Sequence, residues 1–164
     1  MAARQFKIIS FAGLLLLIFM VLGLAAATLA TTDFALEGKK VKTQETTLGN
    51  LVADAVRQAG KAEIALVNAS QMREIDIPAG AVTDGQIQRA LAYPDEKIAV
   101  MELPGGTIRD CMERGLRLLP KPNKGFLQVS GMSVKYDSAR PVDRRVVEIK
   151  LGKQELKNNE TYDV

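Results

Sequence analysis

TLGNLVADAVRQAGKAEIALVN, residues 47–68, joins a helical pattern directly to a strand-like run. Leu48, Leu51, Val52, Ala55, Val56 and Ala59 recur at i, i+3, i+4, i+7, i+8 and i+11, the apolar stripe of an amphipathic helix. Thr47 has an N-capping side chain and Gly60 stops the run. Ile64-Ala65-Leu66-Val67 is then a continuous apolar run of strand length, and it ends abruptly at Asn68. A helix feeding a buried strand makes this the start of a layered domain rather than a bundle or a sandwich.

The rest of the chain extends that pattern. Asp84 to Leu91 reads as a short helix, Lys97 to Leu103 as a strand, and Pro104-Gly105-Gly106 as a turn. Thr107 to Leu119 places Ile108, Cys111, Met112, Gly115 and Leu119 on one helical face, where Cys111 is expected to be buried packing. Phe126 to Val129, Met132 to Tyr136 and Val146 to Leu151 read as strands. Helices and strands are interspersed, so the class is α/β (α+β), a mixed sheet with flanking helices.

Upstream, residues 31–44 are polar, with Lys39, Lys40 and Lys42 close together, and read as a solvated linker before a domain over 45–164. Farther upstream Arg4 and Lys7 precede an apolar run from Ile8 to Ala30 interrupted only by Ser10 and Thr28. Residues 1–30 thus read as a signal peptide or, since the run is long enough to span a bilayer as a helix, a signal anchor. Either reading places the domain extracytoplasmic (periplasmic, secreted or membrane-anchored through residues 8–30), because the basic residues favour the inside.

Composition limits the chemistry. The 164 residues contain no histidine and one cysteine. A histidine base, a histidine metal ligand and an internal disulfide are therefore excluded within this chain. The formal charge is +3, and outside the leader 20 basic residues face 19 acidic ones. That balance gives no argument for nucleic acid.

The candidate site residues lie in loops. Asn68 directly follows an apolar strand, and strand ends in open α/β sheets are where ligands tend to bind. Arg73, five residues on, offers a planar fork suited to carboxylate or phosphate. Tyr93, beside Pro94, adds an aromatic ring. An amide, a guanidinium and a ring suit a small polar ligand with a flat base. On spacing alone the same residues are more simply a turn asparagine, a surface arginine and a half-buried tyrosine.

Several segments together resemble the C-terminal domain of the 5′-nucleotidase family. Glu45-Thr46-Thr47-Leu48-Gly49-Asn50-Leu51-Val52-Ala53-Asp54-Ala55 is similar to that domain's opening helix. Ile64-Ala65-Leu66-Val67-Asn68 with Met72-Arg73 resembles its strand and substrate loop. Phe126-Leu127-Gln128-Val129-Ser130-Gly131, Tyr136-Asp137-Ser138-Ala139-Arg140-Pro141 and Arg145-Val146-Val147 resemble its later strands. The order and spacing agree from about Lys42 to Val164.

The resemblance implies a substrate-binding domain that presents a nucleoside to a separate metallophosphatase domain holding two metal ions. Asn68 and Arg73 would match substrate-contacting positions, and Tyr93 the first of two aromatics that sandwich the base. Lys42 would stand where the family often has an arginine near the ligand. Divalent metals would come only through the partner metallophosphatase, so no cofactor is expected in this chain, and whether the chain is itself an enzyme is left open. Two departures matter. Ala69, Ser70 and Gln71 replace the glycines usual in the loop, which implies a reshaped pocket. The chain also stops at Thr161-Tyr162-Asp163-Val164, before the family's second base-stacking aromatic, so the domain is expected to be C-terminally short.

Two functions follow as expectations. The first is an extracytoplasmic nucleotide- or nucleoside-binding module working with a separate metallophosphatase subunit. The alternative is a non-catalytic envelope interaction or scaffold domain that has lost its ligand. No catalytic apparatus for an independent hydrolase is visible in the sequence.

Overall fold

A computed structural model describes residues 27–164. Residues 1–26 lie outside it, and with them most of the expected signal segment and its membrane contact. Among the described residues no helix is long and apolar enough to cross a membrane.

Among the described residues the strands divide among four small antiparallel sheets joined by three helices. In chain order these are β1 (Thr28–Thr32), α1 (Thr47–Gly60), β2 (Ala65–Asn68), β3 (Gly80–Thr83), α2 (Asp84–Ala90), β4 (Glu102–Pro104), α3 (Gly105–Leu116), β5 (Leu127–Ser130), β6 (Ser133–Tyr136), β7 (Val146–Leu151), β8 (Gln154–Glu155) and β9 (Thr161–Asp163). The sheets are β1-β3, β2-β5, β4-β9 and β6-β7-β8. The α/β class is as expected. The core gathers Leu36, Val41, Leu48, Ile64, Ile77, Ile108, Leu116 and Ile149 from all parts of the described chain.

Residues 31–44 are not a free linker. Leu36 and Val41 are buried, and Leu36 exchanges two backbone hydrogen bonds with Ile77 (2.8 and 2.9 Å). Thr28 to Thr32 pair with β3, so the expected boundary at residue 30 falls inside a strand. The polar residues of this stretch conceal two apolar anchors spaced too far apart to show a period.

Helix α1 begins one residue earlier than Thr47 suggests. Thr46 is the N-cap, and its hydroxyl accepts from the Gly49 amide at 3.0 Å. The Thr47 hydroxyl instead accepts from the Glu37 amide at 2.7 Å, tying the preceding loop to the helix. The buried face is also rotated from the predicted stripe. Leu48, Gly49 and Ala53 are buried, whereas Leu51 is 40 % exposed and Ala55 and Ala59 face outward.

Strand β5 explains the rotation. Its two buried side chains are Gln128 and Ser130, and Leu127 and Val129 are only half-buried. The fully buried Gln128 amide accepts from the Thr46 amide (3.0 Å) and donates to the carbonyls of Val41 (3.0 Å) and Gln44 (2.8 Å). A Cβ at position 49 would overlap the Gln128 side chain, so Gly49 is the residue that lets α1 close over β5. Ser130 donates to the Asp54 carboxylate and accepts from Arg57 Nε at 2.8 Å, completing the polar seam.

Three further expectations are corrected. Only Glu102 and Leu103 of the Lys97–Leu103 run are strand, within β4; Ile98 and Val100 are half exposed, and Met101 alone bonds across to Val164. Helix α3 starts at Gly105 and stops at Leu116, where Arg145 donates to the carbonyls of Leu116 and, at 3.1 Å, Leu119. Cys111 is half-buried rather than enclosed.

Removing the buried amide leaves one N–H and two carbonyls without partners, each costing about 1–3 kcal/mol. Gln128→Leu is therefore expected to lower unfolding free energy by about 3 kcal/mol or more in urea titration. Gly49→Ala should be comparably destabilising, because the buried amide has nowhere to move.

Candidate functional site

The 68–74 segment is oriented by its apolar residues. Ala69 and Met72 are fully or nearly fully buried, so Asn68 and Arg73, on either side of them, are turned outward and exposed. Residues Ala69–Gln71 form a single 3-10 turn after β2. The turn uses no left-handed backbone, so alanine, serine and glutamine fit where glycines were expected.

Backbone bonds join this segment to its neighbours. The amides of Ala69 and Ser70 donate to the carbonyls of Phe126 (2.8 Å) and Lys124 (2.9 Å). On the other side the Arg73 amide donates to Ala90 and the Ala92 amide to Gln71, both at 2.8 Å. Tyr93 directly follows Ala92 and is 60 % exposed. Arg73 and Tyr93 are thus brought to adjoining segments at one edge of the domain. Asn68 stands at the other end of the same turn, and its side chain makes no capping bond.

Lys42 reaches this edge in a different state. Its ammonium is in close ion pair with Glu74, one residue beyond Arg73, and its carbonyl accepts from the Asn123 amide at 2.9 Å. Glu74 was not singled out from sequence, and its only signal there was adjacency to Arg73.

Asp76 is a second residue missed from sequence. Its carboxylate accepts from the amides of Gly38 (3.0 Å) and Lys39 (3.3 Å) and pairs with Lys39 Nζ at 2.7 Å. The Lys39 hydrogen bond, then the Gly38 amide, hold the Asp76 carboxyl below its ordinary value, and Asp76 in turn raises Lys39 above its own. This clasp fixes the 38–42 loop against the 73–77 segment.

The sequence contains no histidine, and among the described residues no group of three His, Cys, Asp or Glu could hold an ion.

With this geometry in view, the comparisons decide the family. The family described as 5′-nucleotidase, C-terminal domain matches residues 24–164. The chain belongs to that family. It is 30 % identical over 144 residues to a trifunctional nucleotide phosphoesterase of Bacillus subtilis, an overlap of 81 % of this chain and 10 % of that protein. It resembles the solved 5′-nucleotidase precursor of Thermus thermophilus at a TM-score of 0.77 and 30 % identity, covering 93 % of this chain and 32 % of that one. The NAD nucleotidase of Haemophilus influenzae shares the fold at a TM-score of 0.71 and 15 % identity, with 93 % and 30 % covered. The chain therefore spans a third or less of these relatives.

The Asp76 clasp has a testable pH dependence. A carboxyl lowered in the folded state stabilises above its unfolded value of about 3.8 and loses that contribution as pH falls through the lowered folded value. Lys39 gives the mirror case, with its contribution present below 10.5 and lost as pH rises through the raised value. Asp76→Asn should flatten both the acid and alkaline limbs of a stability-against-pH curve measured by urea unfolding.

Proposed function

We propose that this chain is an extracytoplasmic nucleotide-binding module of the 5′-nucleotidase type, presenting its ligand to a separate metallophosphatase. The reading is supported by the outward-facing 68–74 segment, which resembles the family's substrate loop, with Asn68, Arg73 and Tyr93 exposed and Ala69 and Met72 buried. Tyr93 would stack on the base, a contact worth about 1–3 kcal/mol. Arg73 would supply a guanidinium fork, and Asn68 an amide that both donates and accepts. Lys42 would contribute once its ion pair with Glu74 opens toward a ligand.

The metals belong to the partner in this reading. There they would activate water and stabilise charge on the phosphoryl group. This chain's residues bind and orient the ligand. The extracytoplasmic placement is supported by Arg4 and Lys7 preceding the apolar run 8–30, and by the precursor status of the Thermus relative.

A second reading has one observation in its favour. Lys42 is paired with Glu74 rather than free, as expected of an interaction domain that has lost its ligand.

Calorimetry on the full chain with adenosine, AMP and a UDP-sugar separates the two. The binding module should give saturable heat with at least one of them, and Tyr93→Ala or Arg73→Ala should weaken it about tenfold. No heat with any of the three at millimolar ligand would leave the interaction domain as the better account.

A further inference from the structure

A second arginine shares a concave surface with Arg73. Arg89, in the last turn of α2, lines with it one open groove of about 420 Å3 that also includes Gln86, Asp76 and Ile77. Arg73 is the residue common to this groove and to the ligand edge. Both arginines are exposed.

The charge in the groove is unbalanced. Asp76 is its one carboxylate and is already committed to Lys39 and two backbone amides. The ion pairs among the described residues are Lys39–Asp76, Lys42–Glu74, Arg140–Asp137, Lys150–Glu148 and Lys157–Glu160, and neither groove arginine takes part. Two arginines lining one groove whose single carboxylate is already engaged would gain from an oxyanion placed between them. Gln86 adds direction. Its carbonyl oxygen is held by the Thr83 amide at 2.8 Å in a capping box, which leaves its amide N–H groups as the donors available to the groove.

We propose that Arg89 and Arg73 form a phosphate-binding groove, so that the chain prefers nucleotides, above all diphosphates, to the bare nucleoside. Arg89 is the specificity-determining residue: it adds a second fork beyond the contact that Arg73 alone supplies. The preference for nucleotides rests on the nucleoside-binding reading above, whereas the groove rests on its own residues.

The test is calorimetry on the full chain, kept in mild detergent for its apolar residues 8–30, with inorganic pyrophosphate, ADP and adenosine. ADP should bind more tightly than adenosine, and pyrophosphate should bind alone. Arg89→Gln should weaken ADP and pyrophosphate about tenfold, with adenosine unchanged and the thermal unfolding midpoint preserved. Added salt should weaken the same two ligands. The proposal is overturned if ADP binds no better than adenosine, if pyrophosphate gives no heat, or if Arg89→Gln leaves both anions unaffected. If pyrophosphate binds through Arg89 while adenosine does not bind, the groove stands and the nucleoside reading fails. If adenosine binds while pyrophosphate does not, the groove fails and the nucleoside reading stands.

Discussion

The buried amide of Gln128 is the contact on which the rest of the domain depends. A primary amide out of reach of water must find partners, and this one finds them in the loop before α1. Its carbonyl oxygen receives the Thr46 amide while Thr46 caps the helix, so the start of α1 is fixed to β5 and not merely to its own sequence. Its two donors hold the Val41 and Gln44 carbonyls, which sets the path of the loop carrying Lys42. Gly49 follows as a requirement, since any side chain there would displace the amide. One interaction thus links strand, helix cap and the loop of Lys42.

The edge that carries Lys42, Arg73 and Tyr93 inherits this order. The 38–42 loop is held from within by Gln128 and from outside by Asp76, and it brings Lys42 to Glu74. The 68–74 turn is anchored by buried Ala69 and Met72 and by backbone bonds to both neighbouring segments. The backbone of such a turn is already ordered, which would lower the cost of gripping a ligand there. Paired carboxylates at Glu74 and Asp76 leave Arg73 and Arg89 as the uncompensated charge of this face.

Much of this was legible in the sequence, for identifiable reasons. Helix α1, strand β2 and strand β7 announce themselves because apolar period and length agree. Asn68, Arg73 and Tyr93 were legible as outward loop residues, because each follows or interrupts an apolar run. The inward face of β5 was not. Alternation assigns Leu127 and Val129 to the core, whereas the partner backbone at residues 41–46 calls for an amide and puts Gln128 inside. That demand comes from a segment more than eighty residues away, so no local window contains it. The stripe of α1 is misread for the same reason, since Gly49 and Ala53 are buried for their small size rather than their apolarity. The 31–44 stretch looks like linker in sequence because its two anchors, Leu36 and Val41, become core only in the company of Ile77 and Leu48. Glu74 is illegible because a charge beside a charge has no period, and Asp76 because its partners, Gly38 and Lys39, lie more than thirty-five residues upstream.

The most direct measurement is a backbone amide NMR titration of the full chain with AMP. Nucleotide binding at the family's substrate loop predicts saturable shifts concentrated at residues 68–74 and 90–93, with smaller ones near Lys42. Saturable shifts that spare those segments, or none at millimolar AMP, would contradict it.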